Sequence, residues 1–305
     1  MIYFLNEKNL PDYINNLLKK YRVYGTKRIG NDVIFDYLDN GNEFYDGRSI
    51  LSPKNMIIPS WKNLNEHDNE KETIIFGIRS CDLLGFQIME SVLKLDIEYN
   101  MKRSLIHFAN FICSEPCIYG FCTTFGGPKL NDSGAQFLRY RDGYIVEIRD
   151  NVFQSNLMTN ASEEMVKYLE GYNEHFSELM APLNTKDIEK KMSWNDDLWN
   201  ELAKKCISCG ACNYSCPTCF CFDINEGENE RIMEWDSCIM EGFTRMAGGA
   251  NSRPDLSSRL RQRFMHKLSY HYLTYSIHLC SGCGRCYETC PVKIDIRDVI
   301  RRYNP

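Results

Sequence analysis

The sequence predicts an α+β protein, with a mixed α/β domain over residues 1–185 followed by a mostly helical domain over residues 186–305. Two observations predict this division. Helical and strand patterns alternate before about Pro182, and they include a strong hairpin signal. After Pro182 the chain alternates cysteine-rich loops with helical segments, and convincing strands are few. A length of 305 residues is ordinary for two domains.

The first predicted element is a helix that starts near Pro11, because proline favours the first helical turn. Its apolar residues recur at helical spacing, and Gly25 is expected to follow its end. These residues are Ile14, Leu17, Leu18 and Tyr21. Short apolar runs at Asp32–Leu38 and Thr73–Ile78 then predict two strands.

A second helix and a hairpin complete the prediction for the N-terminal domain. Asp82 is expected to cap this helix. The core face of the helix is expected to comprise Leu83, Phe86, Met89 and Leu93. The runs Gln136–Tyr140 and Tyr144–Ile148 flank Asp142-Gly143, a dipeptide typical of tight hairpin turns.

Two helices are predicted in the C-terminal domain. The first spans Asp187–Cys206 and has an inner stripe of Trp194, Leu198 and Leu202. The second spans Ser257–Leu273 and is basic, through Arg259, Arg261, Arg263 and Lys267. Its charges predict either a solvated helix face or a docking face for an acidic partner, and nucleic-acid binding is the least favoured interpretation. The acidic segment Asp223–Asp236 is a second candidate docking face.

The sequence lacks the features of exported and membrane-spanning proteins. Its N-terminus has no basic start followed by an apolar run. No uncharged apolar stretch approaches the roughly 18–20 residues that cross a bilayer. We therefore expect a cytoplasmic protein with no membrane partner. The 15 cysteines are an odd number, which argues against a disulfide scaffold and favours metal or redox chemistry.

Eight of the cysteines fall into two repeated motifs. The first runs from Cys206 to Pro217, and the second runs from Cys280 to Pro291. Both follow C-x2-C-x2-C-x3-C-P, which is typical of bacterial [4Fe–4S] sites. Three cysteines at this spacing wrap a tight loop around one face of a cubane, and the proline then turns the chain away. The sequence therefore predicts two [4Fe–4S] clusters in a ferredoxin-type domain.

The fourth cysteine of each motif is expected to bind the cluster of the other motif, as in two-cluster ferredoxins. One cluster is then assigned to Cys206, Cys209, Cys212 and Cys290. The other is assigned to Cys280, Cys283, Cys286 and Cys216. A pair of zinc sites is the rival interpretation, because C-x2-C repeats also bind zinc. The third evenly spaced cysteine and the Cys-Pro ending disfavour zinc.

Seven further cysteines lie outside the motifs. Those of the N-terminal domain are Cys81, Cys113, Cys117 and Cys122. A third [4Fe–4S] cluster held by three of them, with Cys117 or a C-terminal cysteine as the fourth ligand, is one hypothesis. Buried free thiols are the alternative, since cysteine is among the most commonly buried residue types. The roles of Cys219, Cys221 and Cys238 are left open.

No substrate-transforming site is visible in the sequence. There is no G-x-G-x-x-G after a strand, no G-x-x-x-x-G-K-[ST] and no H-E-x-x-H. We interpret His266 and His271 as surface or supporting residues rather than as ligands. No catalytic residue is therefore assigned, and electron transfer is the favoured role.

The block from Cys206 to Ile296 resembles the dicluster iron–sulfur domain in beta subunits of cytoplasmic nickel–iron hydrogenases (sulfhydrogenases) and in the electron-transfer subunit of anaerobic sulfite reductase. The likeness is carried by Cys216-Pro-Thr-Cys219-Phe-Cys221, Trp235-Asp-Ser-Cys238, Gly242–Gly249, Arg253-Pro254, Arg259-Leu-Arg-Gln-Arg263 and His266-Lys-Leu-Ser-Tyr270. The N-terminal part is also similar, through Phe76-Gly-Ile-Arg79-Ser-Cys81-Asp82-Leu83 and Phe121-Cys122. Gly120 departs from the family pattern, because a cysteine is expected before Phe-Cys.

The resemblance implies that the chain transfers electrons within a multi-subunit cytoplasmic oxidoreductase. The implied partners are a reductase that binds FAD and NAD(P) and a catalytic protein of hydrogenase or sulfur-reductase type, with no nucleic acid. The stretch Cys290-Pro-Val-Lys-Ile-Asp-Ile296 favours the hydrogenase branch, and the electron-transfer subunit of anaerobic sulfite reductase is an alternative. A second alternative is a reductase with its own flavin or cluster active site in the N-terminal domain. A third alternative is a redox sensor that binds nucleic acid.

Overall fold

The computed structural model describes residues 1–65, 71–130 and 133–305. Its strands are β1 Ile2–Asn6, β2 Arg22–Ile29, β3 Asp32–Tyr37, β4 Trp61–Asn63, β5 Thr73–Arg79, β6 Ile106–Ile112, β7 Ala135–Tyr140, β8 Gly143–Ile148, β9 Thr159–Asn160, β10 Phe222–Glu226 and β11 Arg231–Trp235. Its α-helices are α1 Leu10–Leu18, α2 Ser80–Leu93, α3 Ile97–Ser104, α4 Glu163–Glu170, α5 Tyr172–Leu179, α6 Ile188–Lys191, α7 Leu198–Ala203, α8 Ala211–Tyr214, α9 Leu256–Met265, α10 His271–Tyr275, α11 Arg285–Glu288 and α12 Ile296–Tyr303. The predicted α+β class is confirmed.

An eight-stranded mixed sheet organises the N-terminal half, in the order β3-β2-β5-β6-β7-β8-β1-β9. Strands β2, β5, β6 and β7 are parallel neighbours, and the other pairings, β3 with β2, β8 with β7, β1 with β8 and β9 with β1, are antiparallel. Because β5 and β6 are parallel neighbours, their carboxyl ends meet at one edge of the sheet. Cys81 follows β5 at the start of α2, and Cys113 directly follows β6. This topology brings two distant cysteines to the same place.

The sheet is buried on both faces. Ile74 and Phe76 of β5 pack in one core cluster with Tyr13 of α1. Ile75 on the same strand faces the opposite way and packs with Phe86 of α2. This alternation is the period-two pattern of a strand between two layers.

Several predicted elements of the N-terminal half are confirmed, and two details are wrong. The hairpin is present as β7 and β8, which pair antiparallel up to Tyr140 and Gly143. Helix α1 ends at Leu18, so Gly25 lies inside β2 rather than at a helix end. Asp82 does not cap α2, because the helix begins at Ser80 and the Asp82 carboxylate pairs with Arg285 instead.

The single helix predicted over Asp187–Cys206 is wrong. The chain forms the two short helices α6 and α7, with an irregular segment between them. Trp194 lies in this segment and is half-exposed, with the Arg261 guanidinium 3.7 Å from its ring centre. Of the predicted stripe, only Leu198 is fully buried. The cation–π contact replaces the core packing that the helical pattern predicted for the tryptophan.

Strands are also present in the C-terminal half, within the acidic segment. Strands β10 and β11 form a hairpin, and β4 of the N-terminal half adds to it as a third strand. The two halves of the chain therefore share a sheet. Strand β10 is exposed along its length, so alternation of apolar residues is a weak signal there.

The predicted basic helix is present, but its charges are not on a solvated face. Helix α9 continues through a π-helical turn at His266–Tyr270 into α10. Arg259, Arg263 and Lys267 are buried, between 3% and 6% exposed. The expectation of a solvated or docking face is wrong for these three residues, because their side chains point toward the cysteine-rich loops.

Among the described residues, no helix is long and apolar enough to cross a membrane.

Candidate iron–sulfur sites

The two cysteine motifs adopt the same local backbone. In the first, Ser208 and Gly210 have φ values of 59° and 73°. In the second, Gly282 and Gly284 have φ values of 67° and 76°. Each loop then enters a one-turn helix, α8 or α11. Positive φ on both sides of the second cysteine curls the loop and turns backbone N–H groups inward, which suits an anionic group.

The cysteines predicted for the first cluster lie close together. We call Cys206, Cys209, Cys212 and Cys290 the motif I set. All four line one cavity, which Cys286 also lines and whose apolar wall includes Ile239 and Phe264. The Ser208 amide donates a hydrogen bond to Cys206 Sγ at 3.4 Å, and the Ile294 amide donates one to Cys290 Sγ at 3.4 Å. Amide donors of this kind stabilise thiolate ligands.

The second predicted set is also close together. We call Cys280, Cys283, Cys286 and Cys216 the motif II set. Burial raises the pKa of Cys280 to about 12, and the neighbouring Cys216 thiolate contributes to this rise. The same two causes raise the pKa of Cys283 and Cys286. The fourth cysteine of each motif therefore lies with the other motif, and the donor sets fit two cubane clusters.

The four N-terminal cysteines form a third group, which we call the N-terminal set. Cys81 and Cys113 come from the ends of β5 and β6, and Cys117 and Cys122 come from the loop that follows. The Cys113 thiol hydrogen-bonds Cys117 and lowers the pKa of Cys117 to about 6. Burial raises the pKa of Cys122 to about 12. Four thiols of this kind fit a further cluster.

The departure at Gly120 has a structural counterpart. A Cβ atom built on Gly120 would lie 2.9 Å from Cys117 Sγ. The Cys117 thiol therefore occupies the space into which a cysteine at position 120 would project. The chain keeps four N-terminal thiols at this site although the expected cysteine is missing.

The N-terminal set packs directly on the second motif. The Phe121 amide donates to the Gly282 carbonyl at 2.7 Å, and a Cβ on Gly282 would lie 2.5 Å from the Phe121 carbonyl oxygen. Arg285 and Asp82 form a bidentate ion pair at 2.6 and 2.9 Å, and both side chains are fully buried. This ion pair holds Asp82, the residue after Cys81, against Arg285, the residue before Cys286.

Two buried cations lie between the thiol sets. Lys267 Nζ donates to Cys216 Sγ at 3.2 Å. Arg263 donates to the Asn213 carboxamide and, at 3.3 Å, to the Cys212 carbonyl. The sequence placed both on one side of a predicted helix through their i, i+4 spacing, but it did not predict that this side is buried against the thiols.

The remaining cysteines are not scattered. The thiols of Cys219, Cys221 and Cys238, which we call the hairpin set, line one cavity of about 350 Å³. His266 lines it too, and burial lowers the pKa of His266 to about 4. His271 is buried, so the surface interpretation is wrong for it, and its Nδ1 lies 2.7 Å from the Ile277 carbonyl. The sequence signals for the hairpin set were three unassigned cysteines near a motif and the family resemblance of the segments that hold them, and neither predicted that the three would meet.

No three His, Cys, Asp or Glu side chains converge on one point as ligands of a single metal ion, within residues 1–65, 71–130 and 133–305. A cubane binds each thiolate through a different iron atom, so its ligands surround a volume rather than one point.

Comparison with known proteins agrees with this chemistry. Residues 205–294 match the family model of the 4Fe-4S dicluster domain. The chain is 28% identical to the sulfhydrogenase 2 subunit beta of Pyrococcus furiosus, over an alignment that covers 95% of each chain. No solved structure matches it. These matches identify the chain as an iron–sulfur protein related to hydrogenase beta subunits.

Proposed function

We propose that the chain is the electron-relay subunit of a cytoplasmic oxidoreductase complex. It would pass electrons between a partner that binds FAD and NAD(P) and a catalytic partner of hydrogenase or sulfur-reductase type. Each [4Fe–4S] cluster, when bound, would accept and release one electron at a time. The observation that carries the proposal is the crossed arrangement of the two motif sets, which interlocks two cluster sites in one small domain.

The thiol sets form a continuous array, which supports the relay. Cys122 of the N-terminal set neighbours Cys283 of the motif II set. Cys216 of the motif II set in turn neighbours Cys212 of the motif I set. We propose a third cluster at the N-terminal set, so that three centres follow one another through the molecule.

The chain's own residues prepare these sites for electron transfer rather than for substrate chemistry. Nearly all the motif thiols are buried or half-buried, with Cys209 as the exposed exception. Apolar side chains such as Phe264 and Ile296 line the motif I cavity and exclude water from it. The exposed Cys209 is the natural point at which an electron would enter or leave this end of the array.

The partners are proposed from similarity and from the donor chemistry. The Pyrococcus furiosus relative is by its name one subunit of a sulfhydrogenase. A nucleic-acid partner is not proposed, since Arg259, Arg263 and Lys267 are buried among other groups and do not form an exposed basic stripe.

The test is anaerobic reduction by NAD(P)H of the full-length chain, alone and in complex with its flavin-binding partner. We expect the visible iron–sulfur absorption to bleach only in the complex, and the catalytic partner to be reduced in turn. In a complex that carries Cys286→Ala, NAD(P)H should still reduce the flavin while electrons fail to reach the catalytic partner. Flavin bound to the isolated chain, with turnover by that chain alone, would contradict the proposal and favour an N-terminal active site.

A further inference from the structure

The hairpin set lies outside both motifs and away from the N-terminal set. Cys219 and Cys221 follow the first motif after its proline, and Cys238 comes after β11. Their thiols share a cavity of about 350 Å³ with His266 and Lys267. No cysteine of the motif I set or the motif II set lines this cavity.

The β10–β11 hairpin explains why these cysteines meet. Phe222 pairs with Trp235 at its open end, and the Asp236 amide donates to the Cys221 carbonyl at 2.9 Å. The chain therefore returns to its starting point, and the Cys221 and Cys238 thiols come within hydrogen-bond distance. The β10–β11 hairpin therefore places the thiols of Cys221, before its first strand, and Cys238, after its second strand, side by side.

Fixed donors surround this set. Asn213 Nδ2 donates to Cys238 Sγ at 3.1 Å. Arg263 Nη1 lies 3.9 Å from Cys219 Sγ. Asn213 and Arg263 are both at most 4% exposed and are bonded to each other, so their positions are held. Donors aimed at sulfur indicate that the sulfur atoms carry negative charge.

A buried lysine lies beside the site, with its ammonium 4.4 Å from the centre of the Trp235 ring. Lys54 is 3% exposed, and its ammonium donates to the carbonyls of Asn213 and Cys219 at 3.0 and 2.8 Å. The charged groups that act most strongly on Lys54 are the thiols of Cys219, Cys216 and Cys221 and the ammonium of Lys267. A buried cation without an opposite charge costs several kcal/mol.

The negative charge that compensates Lys54, Lys267 and Arg263 can come from the motif clusters or from an anion at the hairpin set. Lys267 and Arg263 face cysteines of both motifs as well as Cys219, so the two motif clusters would contribute to their compensation. The thiol that acts most strongly on Lys54 is Cys219 of the hairpin set. An anion at the hairpin set would therefore act on Lys54 first, with Cys216 of the motif II set second.

His266 completes the donor set. Its imidazole lines the same cavity, and neither of its nitrogens has a hydrogen-bond partner among the described residues. A half-buried imidazole without a partner is available to bind a metal or to accept a proton. The hairpin set has three cysteines, and His266 is a further side chain of the same cavity that can act as the fourth donor.

We propose that Cys219, Cys221 and Cys238 bind an additional iron–sulfur cluster, with His266 as the fourth donor. This cluster is separate from those of the two motifs and from the one at the N-terminal set. It neighbours both motif sets, through Cys216 beside Cys219 and Cys212 beside Cys238. The hairpin set therefore forms a branch of the array rather than a continuation of its line.

The test compares the wild-type chain with Cys238→Ala, both full-length and purified anaerobically. We expect the variant to lose about four iron and about four sulfide per chain, while the spin-coupled signals of the motif clusters persist in electron paramagnetic resonance (EPR) spectra. Cys221→Ala should give the same loss. The control Ser252→Ala changes an exposed residue near the cavity wall and should keep the wild-type content. Equal iron in the wild type and Cys238→Ala would overturn the proposal, as would zinc as the metal lost.

A second measurement does not depend on how the variants fold. Cys221 is partly exposed, so an alkylating reagent can reach it in a free-thiol state. In the intact protein we expect Cys221 to resist alkylation, and to react once chelator and oxidant have removed the clusters. Equal labelling before and after removal, or a disulfide between Cys221 and Cys238, would overturn the proposal. A wild-type protein without any [4Fe–4S] signal would instead contradict the proposed relay itself, and this site with it.

Discussion

Among single residues, the cations buried between the thiols matter most for the proposed chemistry. Arg263 and Lys267 are at most 4% exposed, and apart from each other the charged groups that act most on them are cysteine sulfur atoms. Reduction adds an electron to a group that is already anionic, and a nearby cation stabilises the more negative state. Both residues are therefore expected to raise the reduction potentials of the clusters beside them.

Lys267→Met should lower the reduction potential of the cluster at the motif II set. A unit charge about 5 Å away contributes ~3 kcal/mol at an effective dielectric constant of about 20. For one electron this corresponds to a shift on the order of 100 mV. A redox titration followed by EPR measures it.

Two control variants separate charge from packing at this position. Lys267→Arg keeps the charge and should retain most of the potential. Lys167→Met removes an exposed charge from α4 and should leave the potential unchanged. A potential in Lys267→Met equal to that of the wild type would show that Lys267 does not act electrostatically on the cluster.

Between elements, a fully buried ion pair joins the two halves of the chain, in addition to the more exposed pair of Arg48 and Glu288. Asp82 on α2 and Arg285 on α11 are fully buried, and Arg285 also donates to the Ser49 carbonyl at 3.0 and 3.1 Å. Removing one partner of such a pair leaves an uncompensated buried charge. The pair also fixes the distance between the N-terminal set and the second motif.

Asp82→Leu should lower the free energy of unfolding by about 3–5 kcal/mol, because Arg285 would stay buried and unpaired. The double variant Asp82→Leu, Arg285→Met should recover much of this loss, since apolar pairs of similar volume replace buried ion pairs well. Anaerobic denaturant unfolding followed by circular dichroism measures both. Glu164→Gln breaks the exposed pair with Arg141 and should cost less than about 1 kcal/mol. A single variant as stable as this control would contradict the proposed clamp.

How well the sequence could predict each thiol set depends on the loops and strands that hold its cysteines. The motif sets were predictable because each loop is local, and because the crossing of the fourth cysteines is a property of the repeated motif. The hairpin set was not, since strand pairing brings Cys221 and Cys238 together across a segment with little apolar alternation. The burial of Arg263 and Lys267 was missed for a similar reason: charged residues at helical spacing usually face solvent, and only the thiols make their burial favourable.

Across the whole molecule, the thiol sets differ in how much they depend on one another. The two motif sets interlock, and each depends on a cysteine of the other motif. The N-terminal set draws its thiols from the edge of the large sheet and from the loop after β6. It contacts the second motif through Gly282 and Phe121 and through the Asp82–Arg285 ion pair, but it shares no cysteine with either motif set. It is therefore a module at one end of the array. Its loss should leave the other sites intact.

Cys122→Ala should remove the N-terminal cluster alone. The full-length variant is expected to contain about four iron and four sulfide fewer per chain than the wild type, with the spin-coupled signals of the motif clusters retained. Cys216→Ala should instead abolish that coupling, because Cys216 belongs to one motif in sequence and to the other in space. Ser114→Ala, next to Cys113, is the matched control and should match the wild type. Iron and sulfide assays with low-temperature EPR after dithionite reduction distinguish these outcomes. If Cys122→Ala keeps the full iron content, the four N-terminal cysteines are buried free thiols and the relay begins at the second motif.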